Sequence, residues 1–284
     1  MKSLEIKEKT VDIEQLIRSK IPKLYVWIPK FVISWFKKLV HEEEMNTYLF
    51  NNKDKIGVDF VDAILAQMGY TIIGTGVQNL DPQRRLLIAA NHPFGGIDGM
   101  ALICEVGKIR KDILFPVNDI LLGLPNLKPL FVPINKYGTN TENYDVLQTA
   151  FQSENILLYF PAGLCSRKKH KKICDLEWKK TFISKARESQ RDIIPVFVQG
   201  QNSPLFYNLA NWRKKLHIKL NIEQFLLINE MFIQKNKTIH FIIGEAIPYQ
   251  TFDERCSDKE WAEKVKQHVY DLASNPNKKF ETHI

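Results

Sequence analysis

Apolar residues recur along this chain with two periods, and the change from one to the other marks the elements. Residues 54–70 place Val58, Val61, Ile64, Leu65 and Met68 at helical spacing, which predicts an amphipathic helix with a core face. Short strands are expected at 70–74 and 86–90, joined through the turn formers Gly74, Gly76, Asp81 and Pro82. A helix over 100–106, strands over 112–117 and 129–134, and a helix announced by the capping pair Thr139 and Glu142 come next. That helix turns Tyr144, Val146, Leu147, Ala150 and Phe151 inward and ends near Glu154. Beyond it the pattern gives a strong strand at 155–160, a helix at 177–190, a strand at 192–199 broken by Pro195, a strand at 238–244 and a closing helix at 258–273. Residues 202–230 follow no single period: Leu205, Phe206, Tyr207, Leu209 and Trp212 stand beside Arg213-Lys214-Lys215, a hydrophobic wall with a basic rim. Strands alternating with helices predict an α/β fold with a mixed, largely parallel central sheet flanked by helices.

The N-terminal segment is patterned differently. Within 21–40, Lys23, Lys30 and Lys37 recur by heptad and share a stripe with Ser34, Lys38 and His41, while Leu24, Tyr25, Ile28, Phe31, Val32, Trp35, Phe36 and Leu39 fill the rest. Pro29 divides the segment, and no uncharged run reaches the ~20 residues of a spanning helix. Aromatic rings beside lysines suit the lipid headgroup boundary, so residues 1–70 read as an N-terminal helical, membrane-interfacial segment and 71–284 as the α/β domain. The competing reading is a helix packed on the protein's own core with solvated lysines.

Composition narrows the partners. The formal charge of +8, from 40 basic and 32 acidic residues, favours an anionic one. Nucleic acid is disfavoured because no helix-turn-helix, zinc or RNA-binding signature is present and the aromatics sit in apolar strands or the N-terminal helix. Cys104, Cys165, Cys174 and Cys256 are scattered, with no pair at metal-knuckle spacing. Reduced thiols in a cytoplasmic compartment are expected, with neither disulfide nor bound metal.

The candidate chemistry lies in Asn91-His92-Pro93-Phe94-Gly95-Gly96-Ile97-Asp98-Gly99, between an apolar strand and a helix. A histidine titrates near neutral pH, and a carboxylate on its far nitrogen fixes the tautomer, so His92 and Asp98 suit general-base work. The plainer alternative is a structural His-Pro turn with Asp98 capping the following helix. A second turn, Pro161-Ala162-Gly163-Leu164-Cys165-Ser166-Arg167, opens a basic run through Lys172 at the same sheet edge. Ser166, Arg167 and Lys168, with Lys136, could hold phosphate there; otherwise the run is a solvated loop. The Gly-x-Ser-x-Gly elbow of serine hydrolases is absent.

Four stretches together resemble the glycerolipid acyltransferase superfamily, the lysophosphatidic-acid acyltransferase-like proteins. His92 and Asp98 resemble its histidine-aspartate motif; Phe131-Val132-Pro133-Ile134-Asn135-Lys136, Phe160-Pro161-Ala162-Gly163 and Ile194-Pro195-Val196 resemble the later blocks, over roughly residues 71 to 245. The resemblance implies an acyltransferase domain over 71–284, a thioester donor (acyl-CoA or acyl carrier protein) and no further cofactor. It implies His92 as the base, Asp98 as its orienter, and Lys136, Phe160 and Gly163 in the substrate site; the basic edge adds Ser166, Arg167 and Lys168 as expected substrate ligands, and the glycine turn adds the amides near Gly95 and Gly96 as expected oxyanion donors. The lysine stripe opposite Phe31, Trp35 and Phe36, together with a water-insoluble substrate chain, predicts a cytoplasmic enzyme, peripheral on the inner face of the membrane, with the lipid surface as partner. The chain departs from the common motif in three places: five residues separate His92 from Asp98 where the family has four, Ala162 stands for a glutamate, and Lys136 for an arginine. With Asn-His-Pro-Phe-Gly-Gly it is similar to the hemolysin-like branch, which includes N-acyltransferases that make amino-acid-headed lipids. These departures turn the expected acceptor away from a glycerol-phosphate head and toward an amine, with a lysophospholipid hydroxyl still open. The rivals are a thioesterase-type hydrolase and a non-enzymatic basic protein binding membrane or nucleic acid.

Overall fold

The structure, a computed structural model, describes residues 9–117, 123–133, 141–169, 172–217 and 221–282. The described residues open with five helices, α1 (Ile13–Lys20), α2 (Pro22–Tyr25), α3 (Lys30–Leu39), α4 (Glu42–Asn51) and α5 (Gly57–Gln67). Pro29 divides 21–40 as its fixed φ requires, standing as the N-cap of α3. The lysine stripe does not survive intact. Because α1 folds back on α3, Glu14 accepts from the Lys37 ammonium at 2.6 Å and the Tyr25 hydroxyl at 2.7 Å, so Lys37 is tied to the protein. Phe36 and Leu39 pack inward, and Val26, Trp27, Phe31 and Trp35 are left exposed.

The α/β body continues with β1 (Thr71–Thr75), β2 (Leu86–Ala90), α6 (Gly96–Gly107), β3 (Ile113–Val117), β4 (Phe131–Pro133), α7 (Thr141–Gln152) and β5 (Ile156–Tyr159). A hairpin of β6 (Arg167–Lys169) and β7 (Lys172–Cys174) follows, then α8 (Thr181–Glu188), β8 (Asp192–Gln199), α9 (Pro204–Lys215), α10 (Leu226–Ile233), β9 (Thr238–Ile243) and α11 (Asp258–Asp271). Seven strands form one sheet in the order β1-β9-β8-β2-β5-β3-β4. Every pairing is parallel except β8 with β9.

Alternation along the central strands feeds two cores. Leu86, Ile88 and Ala90 of β2 face a cluster with α5 and α6, whereas Leu87 and Ala89 face one built from α7, α8 and α11. All five are fully buried, as a parallel strand covered on both sides must be. The first cluster contains Val58, Phe60, Val61, Ile64 and Leu65, so the core runs straight across residue 70 and α5 belongs to the α/β body.

Two expectations need correction. Pro195 does not break its strand, because its missing amide falls at the end of the β9 ladder, where its carbonyl accepts from Gly244 at 2.9 Å. The helix expected from 177 begins only at Thr181, and the preceding residues form an irregular segment. The capping pair Thr139 and Glu142 lies outside the described residues and side chains.

Candidate active site

The parallel strands β2, β3, β4, β5 and β8 all end at one edge, where an α/β sheet offers its crevice. At the end of β2, Asn91 locks the turn to β8: its amide donates to the Val198 carbonyl at 3.0 Å and its Oδ1 accepts from the Val198 amide at 2.6 Å. Gly95 takes a left-handed φ of 93°, α6 starts at Gly96, and Asp98 therefore lies in its first turn. Its carboxylate accepts from the Phe94 amide at 3.0 and 3.1 Å and the Gly95 amide at 3.1 Å, with Oδ2 also 2.7 Å from His92 Nδ1. The capping reading and the histidine-orienting reading are thus one arrangement.

Asp98 is fully buried, and burial pushes its carboxyl above the ordinary value against the opposing pull of His92 and the Gly95 and Phe94 amides. The contact to His92 is short but off the axis of the ring N–H, a resting geometry that a bound substrate can tighten. With Nδ1 turned to the carboxylate, Nε2 is the remaining acceptor, and no described residue bonds it. The ring is 17% exposed and stacks on Phe160 with centroids 4.1 Å apart. Phe160 in turn meets Phe115 edge-on, and a Cβ at Gly99 would lie 2.8 Å from Phe115, so glycine is what lets α6 approach this wall.

A residue with no sequence signal supports the turn from below. Asp175, in the irregular segment before α8, is buried and accepts from the His92 amide at 3.2 Å and the Ser166 hydroxyl at 2.6 Å on one oxygen. Its other oxygen accepts from the Trp178 indole at 2.9 Å, and its own amide donates to the Tyr270 hydroxyl at 2.8 Å. The Ser166 amide closes the loop by donating to the His92 carbonyl at 2.7 Å. His92 is therefore gripped at its amide and its carbonyl.

The expected anion edge is not built as read. Ser166 spends its hydroxyl on Asp175, and Arg167 is buried, pairing with Glu223 at 2.9 Å and donating to the Cys165 carbonyl at 2.8 Å beneath the Phe206 ring. The other Glu223 oxygen lies 2.8 Å from Arg213 Nε. A buried, doubly bridged Glu223 needs both cations, so Arg167 is structural glue rather than an open phosphate ligand. Lys168 is exposed on the β6 hairpin, Gly163 is exposed with a left-handed φ of 66°, and Lys136 lies outside the described residues. Gly95 commits its amide to Asp98 and is covered by Leu227. Gly96, at the start of α6, faces open space. Burial pushes the Cys165 thiol up to about 11, which removes it as a nucleophile, and no metal-ligating cluster occurs among the described residues.

A family model described as Acyltransferase matches residues 15–277. The chain is 44% identical over 264 residues to a lyso-glycine lipid O-acyltransferase of Bacteroides thetaiotaomicron, covering 92% of this chain and 97% of the relative. It is 42% identical to a lyso-glycine lipid O-acyltransferase of Phocaeicola vulgatus, covering 92% and 95%. Among solved structures it is similar to the 1-acyl-sn-glycerophosphate acyltransferase PlsC of Thermotoga maritima, with a TM-score of 0.48 and 15% identity over 92% of this chain and 95% of that one.

Proposed function

This chain belongs to the acyltransferase family, and on that premise we propose that it transfers an acyl chain from a thioester to the hydroxyl of a lyso-glycine lipid, with His92 as general base. The observation that carries the chemistry is the His92 ring held by buried Asp98 at the open N-terminus of α6. The Asp98 carboxylate keeps the proton on Nδ1, so Nε2 takes the acceptor proton as the hydroxyl oxygen attacks the thioester carbon. The tetrahedral oxyanion forms beside the first turn of α6, where the Gly96 amide is the proposed donor and the helix dipole adds to it. Collapse breaks the carbon–sulfur bond, and the imidazolium returns its proton to the departing thiolate. The ester and a free thiol remain.

The acceptor reading rests on the names of the two relatives, both O-acyltransferases. They turn the proposal from the amine that the motif spacing favoured to a hydroxyl, while the glycine head is consistent with Arg167 being buried on Glu223 rather than open to a phosphate. The donor is acyl-CoA or acyl carrier protein. We place the protein on the inner face of the cytoplasmic membrane, with Trp27, Phe31 and Trp35 in the headgroup layer. No helix among the described residues is long and apolar enough to cross a membrane.

The test is mass spectrometry of products from purified protein, labelled acyl-CoA or acyl carrier protein, and a mixture of lyso-glycine lipid, glycine and lysophosphatidic acid. Label in an ester of the lyso-glycine lipid is the expected product. Label only in an amide, or only in a phosphatidic-acid-type ester, contradicts the acceptor assignment.

A further inference from the structure

A second helix, α9, carries apolar side chains that no described residue covers. On α9, Phe206, Tyr207 and Ala210 are buried against the hairpin and α10, as the helical period allows for one face. On the opposite face Leu205, Trp212 and Leu216 are 57%, 69% and 60% exposed, aligned at helical spacing with half-buried Leu209. Contiguous apolar side chains rimmed by polar residues on a protein surface commonly mark a site of contact with a protein or a membrane. Lys214 and Lys215 stand exposed at the end of this helix, in a chain of net charge +8.

We propose that α9 is a second lipid-binding foot, docking the protein on an anionic phospholipid bilayer together with α3. The commitment to a bilayer rests on charge and on placement. An apolar stripe beside lysines matches anionic headgroups over acyl chains, and the buried face of α9 reaches the site. Asn202, just before α9, donates to the Phe94 carbonyl at 3.2 Å, and Phe206 and Tyr207 pack with Cys165 and Leu226. Phe36 of α3 meets Phe225, in the turn before α10, with ring centroids 5.5 Å apart, so the two feet are parts of one cap beside the His92 turn. A cap anchored at both helices holds the site at the membrane, where a one-chain lipid acceptor resides. This last step rests on the lipid-acceptor reading above; the docking itself does not.

The experiment is flotation of the full chain with vesicles of phosphatidylglycerol and phosphatidylcholine, and with phosphatidylcholine alone, for wild type and the triple variant Leu205→Ser, Trp212→Ser, Leu216→Ser. The triple variant should keep the far-ultraviolet dichroism of wild type and lose at least about tenfold in retention on the anionic vesicles. In a second measurement Trp212→Cys, made where Cys104, Cys174 and Cys256 are serine, carries an environment-sensitive dye whose emission should shift blue on anionic vesicles. Retention equal to wild type, or an unshifted dye, overturns the proposal. So does a concentration-dependent dimer that the triple variant dissolves, which would make a second copy the occupant. Neither readout uses turnover, so failure of the acyl-transfer reading is seen separately.

Discussion

Asp98 serves two demands that pull in opposite directions. As an anion it orients His92 and binds the amides of its own turn; as a fully buried group it prefers its proton. Its folded carboxyl lies above the ordinary value, so its contribution to stability is present at low pH and is lost as pH rises through that raised value. Activity has the opposite sign, rising as Asp98 ionises. Thermal unfolding of wild type and Asp98→Asn from about pH 4 to about pH 7 should show the variant gaining on wild type as pH rises, because only wild type loses this stabilisation. Turnover of Asp98→Asn should fall by about 100-fold to 10,000-fold with the fold intact. An Asp98→Asn enzyme with wild-type turnover would remove the carboxylate from the mechanism. Asp175 acts one step further away, through the His92 backbone. Asp175→Ala should lower kcat about 10-fold to 100-fold with KM nearly unchanged, and Asp175→Asn should recover part of that loss by offering one acceptor to the His92 amide. A change confined to KM, or to thermal stability, would make Asp175 a purely structural residue.

At the scale of elements, what could be read from the sequence was what is local. The strand, the glycine turn and the first helical turn lie within a few residues of one another, so their composition alone places His92 opposite Asp98. Asp175 reaches His92 across 83 residues and Glu223 reaches Arg167 across 56, and no period or motif encodes such contacts. For the same reason the basic run misled: Arg167 has the composition of a surface loop but a buried acidic partner far along the chain. Arg191, at the start of the segment leading into β8, is a further case. Its fully buried guanidinium donates to the carbonyls of Phe151, Leu86, Ala150, Asn155 and Ser153, gathering the end of α7 and the start of β2 and β5, and burial holds its pKa down to about 10. A helix C-terminus suits a cation, and these carbonyls would be orphaned without it. Arg191→Met should cost about 3 to 5 kcal/mol in denaturant unfolding while sparing turnover of the folded fraction. A loss under about 1 kcal/mol would mean that the end of α7 satisfies itself without the guanidinium.

For the whole molecule, periodicity gave the three layers but not their extent. The alternation of β2 dictates two cores, and both formed. The boundary at residue 70 followed from a change in pattern, whereas packing joins α5 to α6 and to the sheet. The N-terminal stripe shows the limit of a helical wheel drawn without tertiary contacts: Lys37 belongs to Glu14, while Lys23, Lys30 and Lys38 stay exposed beside Val26, Trp27, Phe31 and Trp35. The inward sides of α3, α9 and α10 meet in one small cluster through Leu39, Phe206, Tyr207, Leu226 and Leu227, and Leu227 also covers Gly95 in the His92 turn.

Assignment of His92 as the general base is tested by single-turnover acyl transfer to lyso-glycine lipid from a labelled thioester, compared between wild type and His92→Ala at equal folded concentration. It requires an ester product from wild type and a rate lower by about 100-fold to 10,000-fold for His92→Ala, with unchanged donor binding. Ester formation by His92→Ala at the wild-type rate would contradict it.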